Sequence, residues 1–127
     1  MKQFLAKFAL MLGLVATSTP ALSAPVFLLE NDDGDAFYYD DEFDYSEDGI
    51  TVTMYIERAE VRTNDEGYGY DATVEEWTYD CSDSTVRVDD EYYYFNDELV
   101  GTSLGIGEWE PVQSGTVGED MQSVVCS

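Results

Sequence analysis

From Ile50 to Glu60 the chain reads ITVTMYIERAE, and Ile50, Val52, Met54 and Ile56 alternate with Thr51, Thr53, Tyr55 and Glu57. A period of two puts these apolar residues on one face of an extended chain, so the segment is a half-buried strand with one face in a core. Its neighbours carry the same signature. PVFLLE is short and apolar, DAFYYD follows the turn-rich NDDGD, and TNDEG ends the long strand. STVRVDDEYYYFNDELVGTSLG reads as a hairpin with Asn96, Asp97 and Glu98 at its tip. Consecutive strands joined by turns predict an antiparallel meander.

Two segments depart from this pattern. In YGYDATVEEWTYDC, Tyr68, Tyr70, Ala72 and Val74 share one parity, whereas Trp77, Tyr79 and Cys81 share the other. The phase change near Glu75 and Glu76 predicts a β-bulge or a strong bend. At the C-terminus, Val117, Met121, Val124 and Val125 fall at i, i+4, i+7 and i+8, a helical stripe. Thr116 and Glu119 have the spacing of a capping box, and Asp120 adds negative charge where the helix dipole is positive. Gly118 weakens the interior of a helix already too short to be stable alone. It therefore has to dock its valines on the sheet.

The first 23 residues read as a secretory signal peptide: Lys2 and Lys7, an apolar run from Phe8 to Ala16, then small residues. Cleavage after Ser23 leaves a single domain, 24–127. A membrane anchor would need about 20 apolar residues, more than the run supplies. No cysteine lies near the cleavage position, so no lipid anchor is expected. With both lysines removed, Arg58, Arg62 and Arg87 face all 28 acidic residues, and a net charge of 3 − 28 = −25 results. Such a surface repels nucleic acid and anionic membranes. The aromatic content argues for a folded domain rather than the disorder that high charge alone suggests. The charge itself fits adaptation to a salty medium, where ions screen self-repulsion, or a cation-binding surface.

Export implies an oxidising compartment. There Cys81 and Cys126, the only cysteines, most simply form one disulfide; intermolecular pairing and free thiols are the alternatives. Ideal helical spacing puts Cys126 away from the valine stripe, so the last helical turn is expected to unwind.

Trp77 to Cys81 (WTYDC), Arg87, the tyrosine-rich strand, WEPVQSGT at 109–116 and the near-terminal cysteine together resemble the surface-adhesin protein E family. The upstream YYDDEFDYSEDGITVTMYIERAE is similar as well. The resemblance implies an α+β, mainly β fold: an antiparallel sheet of about six strands, with a short C-terminal helix on its concave face tethered by a disulfide matching Cys81 to Cys126. It also implies an exported adhesion domain, of a kind whose named member binds host matrix and plasma proteins and can pair as a homodimer. Two features depart from the family pattern. The cysteine of lipid-anchored relatives is missing, and a mature part without lysine cannot make lysine-dependent contacts.

Catalysis finds little support. Histidine is absent, and serines and threonines lack an activator. Paired carboxylates such as Asp40-Asp41-Glu42 and Asp89-Asp90-Glu91 are too common to mark a glycosidase site. GTSLGIG lacks the lysine of a phosphate loop and reads as a flexible strand end. The sequence is read as that of a non-enzyme without a resident cofactor.

ENDDGDAFYYDD is the best cation candidate. Asp32, Asp33 and Asp35, with Asn31, Asp40 and Asp41, offer oxygen ligands of the kind calcium prefers. Its spacing misses the helix–loop–helix calcium motif, whose first ligand would fall on Leu29, so weakly held calcium is the expectation. In EYYYFN, Tyr92 and Tyr94 face one way and Tyr93 and Phe95 the other. One pair is expected in the core and the other, Tyr92 with Tyr94, forms a possible recognition surface. Trp77 and Trp109 are read as core anchors. The reading that results is an exported binding domain recognising proteins or envelope components through its sheet and loops. The alternative is an acidic exported protein that binds or buffers calcium.

Overall fold

The computed structural model describes residues 24–127; the leader expected over 1–23 lies outside the described residues. Among the described residues, eight strands form one antiparallel sheet. They are β1 (Val26–Glu30), β2 (Ala36–Tyr39), β3 (Asp44–Tyr45), β4 (Ile50–Thr63), β5 (Gly69–Asp80), β6 (Thr85–Phe95), β7 (Glu98–Ser103) and β8 (Glu110–Pro111); helix α1 spans Val117–Val125. Six of them run in the order β1-β2-β4-β5-β6-β7, with the two-residue strands β3 and β8 added beside β4 and β6. The fold class and the strand count of about six match the expectation.

The long alternating strand is β4. Val52, Met54 and Ile56 project to one face and meet Phe37, Trp77 and Tyr79 there; Met121 and Val125 of α1 close the cluster from above. Burying Met121 and Val125 contributes on the order of 1.5–3 kcal/mol each, which is what holds a nine-residue helix in place. The Tyr79 hydroxyl adds a hydrogen bond to the Gly118 carbonyl at 2.8 Å.

Helix α1 starts as its sequence predicts. Thr116 is extended and its hydroxyl accepts from the Glu119 amide at 3.3 Å. The return bond of the capping box shifts by one residue, with the Glu119 carboxylate accepting from Gly115 N–H at 3.1 Å. At the other end, Cys126 leaves helical geometry (φ −99°, ψ 10°) yet still donates to the Gln122 carbonyl. The loss of helix expected here is confined to that residue. Cys81 and Cys126 form a disulfide with 5.7 Å between their Cα atoms, closing a loop with a sequence separation of 45.

The phase change in β5 has a different origin from the one expected. β5 pairs with β4 without interruption from Tyr79↔Ile50 to Ala72↔Glu57, so it keeps its parity. The extra residue of the predicted bulge sits on β6, where Glu91 and Val88 pair with Glu75 and Trp77. The apolar residues change parity because the two faces of the sheet are buried at opposite ends. Trp77 and Tyr79 lie under α1, whereas Ala72 and Val74 belong to the other face.

Two hairpins use one device. In both NDDGD (31–35) and NDEGY (64–68) the Asn side chain accepts from amides two and four residues on: Asn31 from Asp33 and Asp35, Asn64 from Glu66 and Tyr68. Gly34 and Gly67 have φ of +87° and +88° and donate to the carbonyls of Asn31 and Asn64. The hairpin between β6 and β7 is tighter than expected. Asn96 and Asp97 alone form it, both at positive φ, and Glu98 already belongs to β7.

Candidate binding surface

Residues paired across neighbouring strands share a face. Opposite α1, one row runs across five strands: Phe27, Tyr38, Tyr55, Val74 and Tyr92. The adjoining row contains Ala36, Glu57, Ala72, Tyr94 and Leu99. Phe27 and Tyr38 meet edge-to-face at 5.4 Å, and Phe27 and Leu99 are exposed. Tyr92 and Tyr94 thus fall together on this face, both half-buried. Neither pair of the EYYYFN run enters the main core, contrary to expectation: Tyr93 is half-buried and Phe95 exposed. The run lies beyond the end of α1.

Burial shapes the chemistry of this face. It pushes the Tyr55 hydroxyl up to about 12, with the Asp40 charge adding to the effect. Glu57 is 2% exposed and lies beside the Tyr38 hydroxyl, whose hydrogen bonding offsets part of the effect of burial. Burial raises its pKa above the ordinary 4.5, and the charges of Asp97 and Asp71 push the same way.

On the α1 side, beyond the helix, the core gives way to an ionic network. Asp35, 1% exposed, accepts from the Ala59 amide at 2.9 Å, from Arg62 at 2.6 Å and from Arg58 at 3.3 Å. Burial by itself would raise its pKa; the Ala59 hydrogen bond and the two guanidinium charges outweigh it and hold Asp35 below 3.8. These contacts also shape β4, whose residues between Glu57 and Arg62 bulge out of the β5 ladder around the Asp35 carboxylate. Glu75 accepts from Trp77 Nε1 at 2.9 Å and from the Thr73 hydroxyl at 2.8 Å, and lies 3.5 Å from Arg58. Glu91 pairs directly across from Glu75; burial, then that like charge, raises its pKa.

The three predicted calcium ligands therefore occupy different settings. Asp35 is committed to arginines. Asp33 shares with it, Glu60 and Arg62 an open depression of about 350 Å³, which Asp32 does not line. Among the described residues no three carboxylates converge as metal ligands would. Asp32 and Asp33 sit where Asp65 and Glu66 sit in the second hairpin, which accounts for acidic residues there as turn formers.

The segment between β7 and β8, read from the sequence as a flexible strand end, is instead held in place. It runs beside the β6 bulge, and the bulged aspartates hold it. Asp90 accepts from Gly105 N–H at 2.8 Å, and Asp89 accepts from Gly107 N–H at 3.0 Å and from the Thr78 hydroxyl at 2.8 Å. A Cβ on Gly107 would lie 1.9 Å from the Val88 carbonyl oxygen, so only glycine allows this approach. Arg87 reaches Asp89 at 3.0 Å and Asp48 at 3.5 Å, and its guanidinium lies 4.6 Å from the ring centroid of Trp109. Trp77 belongs to the core as expected, whereas Trp109 is a surface residue stacked on Arg87. The GTSLGIG glycines were the available signal, since they permit a close backbone approach.

With the geometry in place, comparison with known proteins decides the family. The family described as surface-adhesin protein E matches residues 26–127. The chain belongs to that family. The family's description points to a surface adhesion protein. No curated protein and no solved structure matches the chain. No described helix of the adhesin-family domain is long and apolar enough to cross a membrane.

Proposed function

We propose that this protein is an exported, non-enzymatic binding domain of the adhesion type, recognising proteins or envelope and extracellular components through the sheet face opposite α1 and the adjoining loops. The observation that carries this reading is the row Phe27–Tyr38–Tyr55–Val74–Tyr92, which spans five strands of a rigid sheet. Tyrosines supply large contact area with little side-chain entropy to lose, and they concentrate at interface hot spots. All three arginines outside the leader are already paired with carboxylates, so a partner has to bring the cations.

Solid-phase binding of the exported protein to matrix and envelope proteins, at low and high salt, tests the reading. Tyr38→Ala with Tyr92→Ala is expected to weaken capture; both side chains are half-buried, so the thermal midpoint falls, and an unchanged circular dichroism spectrum at the assay temperature establishes that the variant is folded. Undiminished capture by the double variant would remove the face from the proposal. Calcium calorimetry separates the reading from the cation-buffering alternative: a tight, saturable site would favour the alternative.

A further inference from the structure

The segment Leu104–Trp109 exposes three large apolar side chains within six residues. Leu104 is 65% exposed, Ile106 74% and Trp109 40%, and Val88 beside them is also exposed. Loops of acidic, soluble domains rarely carry such residues without use, and contiguous exposed apolar surface marks interaction sites. This loop is also fixed in place. Asp90 and Asp89 hold the amides of Gly105 and Gly107, Gly107 lies against the Val88 carbonyl, and Arg87 sits over Trp109 while bound to Asp89. The carboxylates of the β6 bulge thus serve as the frame that presents Leu104, Ile106 and Trp109. Exposed Glu108 and Glu110 flank the tryptophan.

We infer that this braced loop is an anchor for a partner protein that offers an apolar socket rimmed by lysine or arginine. The inference rests on the adhesion reading above and names the part of the surface that engages first. Charge complementarity selects the partner. Each arginine of the described domain is spent on a carboxylate of its own chain, Arg87 beside Trp109 included, and the exposed charges next to the tryptophan are Glu108 and Glu110. A second copy of this chain, carrying the same −25 charge over 24–127, is disfavoured by repulsion. A basic rim gains attraction at long range, and the apolar side chains then supply the desolvated centre.

The test uses three short peptides as probes: alternating lysine and leucine, alternating lysine and serine, and alternating glutamate and leucine. Binding is read by anisotropy and by Trp109 emission, against wild type and the double variant Leu104→Ser/Ile106→Ser. Both substituted side chains are exposed, so an unchanged circular dichroism spectrum and thermal midpoint establish that the variant folds. The lysine–leucine peptide is expected to bind wild type with a blue shift of emission, and to bind the variant about tenfold more weakly. The lysine–serine peptide is expected to bind both proteins equally and weakly, and the glutamate–leucine peptide neither. Equal affinity of variant and wild type for the lysine–leucine peptide overturns the inference. So does tight binding of the glutamate–leucine peptide, or a wild-type dimer on gel filtration that the substitutions dissociate. Should the variant keep full capture of matrix or envelope proteins, the loop is not the anchor and the adhesion reading stands. Should wild type capture none of them yet bind the lysine–leucine peptide through the loop, the adhesion reading fails alone.

Discussion

Replacing Asp35 by asparagine keeps an oxygen for the Ala59 amide but removes the charge that faces Arg58 and Arg62. Breaking a buried pair from one side leaves the other charge uncompensated, so Asp35→Asn is expected to cost about 3 kcal/mol in urea unfolding. The buried Glu57 and the half-buried Glu76 and Glu91 act in the opposite sense with pH. Burial, ahead of neighbouring acids, raises Glu57, Glu76 and Glu91 above 4.5, so the folded state binds these protons more tightly than the unfolded chain does. Stability therefore falls as pH rises through that range and is regained on acidification. Asp35 is depressed below 3.8; its contribution is present above that value and lost as pH falls through its folded pKa. The thermal midpoint is expected to rise as pH falls from 7 toward 4.5 and to collapse at pH values well below 3.8, and a steady decline from pH 7 downward would refute the assignment. None of these roles was legible in the sequence. Asp35 is one of 28 acidic residues, and only the fold places Arg58, Arg62 and the Ala59 amide around it.

Among the elements, those with strong periodicity were readable in advance. β4 showed its alternation, α1 its stripe and its Thr116 cap, and both Asn–Asp–X–Gly turns their asparagine and glycine. The β6 bulge was displaced onto β5 in the reading because parity reports which face is apolar, not whether the strand is continuous. Burial of one face under α1 and of the other around Tyr55 reverses parity without any kink in β5. The loop after β7 reads in sequence as a flexible strand end because its contacts are backbone amides on Asp89 and Asp90, which leave no pattern in the side chains. Gly107→Ala tests that bracing. The added Cβ meets the Val88 carbonyl, and the strain is expected to cost about 2 kcal/mol and to lift the loop from β6. Trp109 would lose its place on Arg87, and its fluorescence would shift to the red; an unchanged spectrum would show that the loop does not depend on the close approach.

At the scale of the whole molecule, the family, the mainly β architecture and the tether all followed from a few motifs, chiefly WTYDC and the C-terminal cysteine. Which surface binds did not follow, because exposure is a property of the folded sheet. Removing the tether by Cys81→Ser with Cys126→Ser is expected to cost up to about 4 kcal/mol in urea unfolding, the loop-closure entropy for a separation of 45. The same bond has a mechanical consequence. An adhesion domain pulled between its two ends carries the load through the disulfide, which bypasses everything between Cys81 and Cys126. Of the described residues, only Ala24 to Cys81 can then extend, about 190 Å of contour, against about 350 Å after reduction. β6, β7, the anchor loop and α1 lie inside the bypass. Single-molecule extension in oxidising and reducing buffer would read the two lengths directly. The oxidised protein is expected to keep its anchor loop enclosed in a covalent ring while the rest of the chain is drawn out under tension.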